Sequence, residues 1–180
     1  MNYFKIFFVL IIIAGMSGCV GQAEEPGNIV HPTTSIGLRM IGADNHDITL
    51  VNNETAKEIT YDELLEFLKH DKTDQIPYDE NTFICGDYAE MVHNNAEKAG
   101  IKAAWVGIDY EDHEGHACNA FSTSDKGIVY IDCTGMRVSD GLPTDSIINM
   151  SVGNDYLPVG LFVDCTGMNF GKIRNFEVFW

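Results

Sequence analysis

Cys85, His116 and Asp132 are the residue types of a nucleophilic triad, and each falls where such chemistry needs it. From about Thr82 to Lys98, the residues Cys85, Tyr88, Ala89, Val92, Ala96 and Ala99 recur at steps of three and four, so Cys85 stands in the first turn of an amphipathic helix. Unpaired N–H groups and the positive end of the helix dipole favour thiolate over thiol at such a position, and the thiolate is the nucleophile. His116 and Asp132 lie on two consecutive strand-like runs joined by the turn Ser124-Asp125-Lys126-Gly127. Pairing of those strands sets an imidazole beside a carboxylate, which orients one ring nitrogen while the other faces the sulfur. Taken singly, each residue has a plainer use: a helix cysteine as a small hydrophobe, a strand histidine as a packed side chain, an aspartate as a turn former. Their order on one helix and two successive strands is what singles them out.

The elements that must position these residues can be read from patterning. Ser35 to Gly42 and Ile48 to Asn52 alternate around Ala43-Asp44-Asn45-His46-Asp47, predicting two strands and a turn. Thr60-Tyr61-Asp62-Glu63 is a capping box ahead of a short helix through Leu64, Leu65 and Leu68, and Asp71 to Tyr78 is a loop ending in Ile76-Pro77-Tyr78. Gly100 stops the Cys85 helix. Strands are expected over Ile101–Ile108, His116–Thr123 and Ile128–Cys133, with an acidic loop Asp109–Gly115, and two more over Ile147–Val152 and Tyr156–Asp164. Helices first and an antiparallel sheet second make the fold class α+β.

Phe83-Ile84-Cys85-Gly86-Asp87-Tyr88-Ala89, the following run from His93 to Ala103, Gly115-His116-Ala117-Cys118-Asn119-Ala120-Phe121 and Gly127-Ile128-Val129-Tyr130-Ile131-Asp132 together resemble the transglutaminase-like superfamily. The likeness is greatest to its small secreted papain-like members, and its core runs from Tyr61 to Gly135. The resemblance implies N-terminal helices carrying the nucleophile, packed on an antiparallel β-sheet carrying histidine and aspartate. It also implies a cysteine-dependent amide hydrolase or acyltransferase working through a thioester on a peptide, protein or cell-envelope amide. Cys85 would be the nucleophile, His116 the general base and acid, and Asp132 the orienting carboxylate. The family also holds inactive binding domains, so a noncatalytic surface module is the competing reading, and a thiol redox sensor through Cys85 and Cys118 is a third. The backbone N–H of Cys85 is the natural oxyanion donor, with Tyr78 or Asn81 as candidates for a second. Asn119, three residues past His116, points to the other face of its strand and stays outside the site.

The first 19 residues have one positive side chain, Lys5, an apolar run from Phe7 to Ala14 and the ending Met16-Ser17-Gly18-Cys19, too short to span a membrane. They resemble a lipoprotein signal with Cys19 as the lipid-bearing residue, which puts the chain outside the cytosol on a membrane anchor or as a secreted protein. Residues 20–34 then form a tether and 35–180 a single domain. Cys85, Cys118, Cys133 and Cys165 remain, with three pairings open. Ile131-Asp132-Cys133-Thr134-Gly135-Met136 recurs as Val163-Asp164-Cys165-Thr166-Gly167-Met168, so Cys133 and Cys165 become the natural disulfide if these strand ends are neighbours.

Of the 180 residues, 27 are acidic and 11 basic, a formal charge of −16, which argues against nucleic acid as partner. No cofactor or metal ligand set is expected: Asp112-His113-Glu114 reads as a solvated loop, His93 as a polar-face residue, and His31, His46 and His70 as lacking partners.

Overall fold

Thr60 starts the first helix through both halves of its capping box. Its hydroxyl accepts the Glu63 N–H at 3.3 Å while the Glu63 carboxylate accepts the Thr60 N–H at 2.7 Å, an arrangement worth about 1 kcal/mol. The computed structural model describes residues 28–30, 40–134, 144–164 and 169–180. Helix α1 spans Tyr61–His70 and buries Leu64 and Leu68, one turn apart. Helix α2 spans Cys85–Lys98. Its first turn is tied by Asp87, whose Oδ2 accepts the Ile84 N–H at 2.8 Å. Isoleucine carries no acceptor, so only this half of a capping box exists. At the far end Gly100 takes a φ of 80°, a turn that a side chain would strain.

Both helices cover one face of the sheet. Leu64, Leu68, Tyr88, Val92 and Ala96 pack against Ala103, Phe121, Val129 and Ile131. The sheet is built of β3 (Ala103–Tyr110), β4 (His116–Thr123), β5 (Gly127–Asp132), β6 (Ser146–Ile148), β7 (Val159–Gly160) and β8 (Ile173–Phe179), in the order β7-β6-β5-β4-β3-β8. Every neighbouring pair is antiparallel. The opposite face has its own core, with Val106, Ile108, Tyr110, Cys118 and Ala120 from the central strands packed against Tyr156 and Ile173. Central strands buried on both faces read as near-continuous apolar runs, which is the texture of Ala103–Tyr110.

Antiparallel α+β architecture is thus what the patterning predicts, with differences in detail. Asn28–Val30, inside the expected tether, forms strand β1, paired antiparallel with β2 (Leu50–Asn52). Of the strand expected over Ser35 to Gly42, residues 35–39 lie outside the described part, and Ile41 makes a single bridge to Asp47. Helix α2 begins at Cys85 rather than near Thr82, because Asp79 to Phe83 close a turn of their own, with the Phe83 N–H on the Asp79 carbonyl at 2.8 Å. The two expected C-terminal strands are cut to β6 and β7. Gly153, at a φ of 85°, turns the chain out of the sheet, and Tyr156 leaves the strand geometry to bury its ring completely. β8 follows no strong alternation, and its partner β3 lies far earlier in the chain.

Candidate active site

Asp132 ends β5 with no exposed surface, and its carboxylate is fully engaged. Oδ2 accepts the His116 Nε2–H at 2.9 Å and the Tyr156 hydroxyl at 2.8 Å. Oδ1 accepts the Thr134 N–H at 2.8 Å and the Thr134 hydroxyl at 2.6 Å. Burial pushes the Asp132 pKa up, but the His116 charge and the bonds from His116, Thr134 and Tyr156 outweigh it and hold the carboxyl below its ordinary value. An ion buried without such partners would cost several kcal/mol; here four donors replace the lost water.

His116 opens β4 and is fixed by rings. Phe170 stacks on it nearly parallel, with centroids 5.4 Å apart, and Tyr156 meets it edge-on at 5.3 Å. Desolvation depresses its pKa, yet the charges of Asp132 and Cys85 and hydrogen bonds to both raise it to about 10. Since Nε2 is taken by Asp132, Nδ1 is the ring nitrogen left free to serve the Cys85 thiol.

Cys85 is the first residue of α2, so its backbone N–H has no helical acceptor. The way it reaches His116 is not the obvious one. Strand alternation turns Ala117, Asn119 and Phe121 toward the helices and His116 and Cys118 away from them. Thiol and imidazole meet because one heads its helix and the other heads its strand. Asn119 does the opposite job: its Nδ2 donates to Ala89 O at 2.8 Å and Ala104 O at 3.2 Å, tying α2 to the sheet. Gly86 permits close approach at this end, since a Cβ there would stand 3.0 Å from the Ile41 carbonyl oxygen.

Of the two candidate second oxyanion donors, Tyr78 lies near the thiol. Burial first, then the Cys85 charge, push its phenol up to about 12. Asn81 is exposed, its N–H on the Asp79 carboxylate at 2.8 Å. Two hollows, about 410 Å³ beside Tyr61 and Tyr130 and about 310 Å³ beside Asn52 and Trp180, do not touch the triad.

The other described cysteines, Cys118 and Cys133, are buried where Cys85 is half-buried. Cys118 is 1% exposed and hydrogen-bonded to Tyr156, and burial pushes its thiol well up. Cys133 is a buried free thiol whose S–H bonds to the Asp145 carboxylate. Cys165, its suggested disulfide partner, and Cys19, the suggested lipid site, lie outside the described residues. Asp145 is itself buried. Desolvation and the nearby Asp74, Asp71 and Asp132 charges, against the Cys133 bond, raise its pKa to about 7. A carboxyl with a raised folded-state pKa contributes stability that falls as pH climbs from its unfolded value to about 7. Asp145→Asn is therefore expected to gain on the wild type between pH 4 and pH 8, which melting curves across that range will show; a constant gap would contradict it.

Sequence reasoning missed Tyr156, Thr134 and Phe170. Thr134 had a signal, as a hydroxyl two residues after an aspartate in a turn-forming run; the other two come from irregular chain with none. His93, expected on a polar face, is wholly buried, and burial lowers its pKa. His46, expected without partners, faces Asp44, Asp87 and Glu90. Asp112, His113 and Glu114 are exposed in the β3–β4 loop. No protein-family model matches this chain, and no curated protein and no solved structure matches it either.

Proposed function

We propose that this protein is a cysteine-dependent amide hydrolase of transglutaminase-like, papain-like type, acting through a thioester on peptide, protein or cell-envelope amides outside the cytosol, and held there by a lipid on Cys19. The observation that carries the reading is the imidazole of His116, bonded on one side to a fully satisfied buried Asp132 and raised in pKa on the other by the nearby thiol of the first residue of a helix. That is the arrangement in which a thiolate and an imidazolium stand ready as a pair.

The thiolate attacks the amide carbonyl, and the oxyanion takes a hydrogen bond from the Cys85 N–H and from the Tyr78 hydroxyl. The imidazolium gives its proton to the departing amine as the C–N bond breaks, leaving an acyl-thioester and a neutral imidazole. Water then gives a proton to His116 and attacks the thioester, releasing the acid and the thiolate. A second amine in place of water would make the same enzyme an acyltransferase; water is preferred because it is always present. Asp132 keeps the ring in one tautomer and one orientation throughout, helped by the Phe170 stack.

Trapping tests this. Incubated with a library of glutamine-containing peptides and peptide amides plus hydroxylamine, the protein should yield hydroxamates. Mass spectrometry should find an acyl adduct on Cys85, with turnover reduced about 10³-fold or more in Cys85→Ala. Peptides that bind tightly without any acyl adduct or hydroxamate would instead establish the noncatalytic surface module.

A further inference from the structure

Beyond the triad, a cluster of ligand-type side chains among the described residues converges on a single point. His46 Nε2 lies 3.4 Å from Asp87 Oδ1 and 3.4 Å from Glu90 Oε2, and the three atoms lie within 4.8 Å of one another. Separations of 3.4 Å are long for charge-assisted hydrogen bonds, which run about 2.7–2.9 Å. They match the edge of a tetrahedron around a zinc-sized ion, about 3.3–3.4 Å for bonds of 2.0–2.1 Å.

Each of the three side chains is held by its other atom. The His46 Nδ1–H is taken by Asp44 Oδ1, so Nε2 is the ring atom that faces the two carboxylates, as an N–H in the imidazolium and as a ligand lone pair once that proton gives way to a metal ion. Asp87 spends Oδ2 on the N–H groups of Ala43 at 3.0 Å and Ile84 at 2.8 Å. Glu90 spends Oε1 on the Thr49 N–H at 3.0 Å. A carboxylate behind the outer histidine nitrogen and backbone donors behind the outer carboxylate oxygens are the supports that metal ligands receive.

Two further observations point to an occupant. Asp87 is 6% exposed, and among the described residues its Oδ1 meets only the His46 ring, at the distance above. Gly42 is cut away to make room: a Cβ there would come within 1.9 Å of His46 Cε1 and 2.3 Å of Asp87 Oδ1. The chain thus gives up a side chain at Gly42 to lay an imidazole against a buried carboxylate.

We propose that His46, Asp87 and Glu90 bind a divalent transition-metal ion of the zinc type, which staples the Ala43–Asp47 turn to the first two turns of α2, the helix that carries Cys85. One nitrogen and two carboxylate oxygens leave the fourth position to water. Asp87 and Glu90, three apart on one helix, share a face, and Glu90, part-exposed, supplies the small movement that closes the third edge. The ion adds positive charge beside the start of α2 and fixes the backbone around Gly86.

Cobalt(II) serves as the probe, since its visible bands report ligand type and thiolate ligation adds a charge-transfer band in the near ultraviolet. The Cys85→Ala chain, freed of metal by chelator, should bind one cobalt ion with no thiolate band. Saturating cobalt should raise Tm by about 5 °C or more. His46→Ala and Gly42→Ala should each weaken binding at least about tenfold, and Glu90→Gln, which keeps the shape, should do the same. Asp87 is left alone because its loss uncaps α2. Binding unchanged in these variants, a thiolate band, or no uptake at all would overturn the site, the last leaving His46 with a proton only. None of these outcomes bears on the triad.

Discussion

Asp132→Ala is expected to cost about 3–5 kcal/mol, the range for removing one partner of a buried charged network. It would strand the His116 Nε2–H, the Tyr156 hydroxyl and both Thr134 donors in a site with no exposed surface at its centre. Urea unfolding of the variant against the wild type measures it, and a loss below about 1 kcal/mol would mean that water replaces the carboxylate. Asp132→Asn separates folding from reactivity. It keeps the volume, so it should retain most of the stability while turnover falls about 10²–10⁴-fold through loss of the ring tautomer. The pH dependence has a defined sign. His116, raised to about 10, contributes stability that is complete below its unfolded pKa of about 6.5 and is lost as pH rises through 10. Asp132, held low, contributes stability that is lost as pH falls through its folded value.

Cys85 is expected to be alkylated by iodoacetamide far ahead of the other described thiols. Cys118 and Cys133 are 1% and 3% exposed, and burial pushes both thiols well above the ordinary value, so both their access and their thiolate fraction are small. Cys85 is half-buried, reachable, and in contact with an imidazole that is protonated at neutral pH. Peptide mapping after brief labelling should find the label at Cys85. Equal labelling of Cys85, Cys118 and Cys133 would place no special chemistry at the helix start. The same burial weakens the redox-sensor reading, since Cys118 is sealed beneath Tyr156 and its thiol already has a hydrogen-bond partner.

What was legible in the sequence is what is local. The Thr60 capping box, the α2 periodicity, the β4 alternation and the apolar run of β5 are each written within a single element, and they place Cys85, His116 and Asp132 on the helix and strands that carry them. The supporting shell was not legible. Tyr156 and Phe170 reach the triad from irregular chain after β6, where no period constrains which side chain turns inward. β8 is short of alternation because its residues are mostly half-exposed at a sheet edge. Alternation also puts His116 on the face away from α2, so its meeting with Cys85 depends on where both elements begin. His46 was invisible as a ligand for a related reason: it sits in a turn, and its carboxylate partners lie on a helix some forty residues away.

The most direct test of the central claim, that His116 and Cys85 form a reactive pair, is the alkylation rate of Cys85 at pH 7 in the wild type and in His116→Ala. A reactive pair predicts a fall of about tenfold or more on losing the imidazolium, with Tyr78→Phe, which leaves the pair in place, close to the wild-type rate. Equal rates in the wild type and His116→Ala, with both proteins folded by circular dichroism, would contradict it.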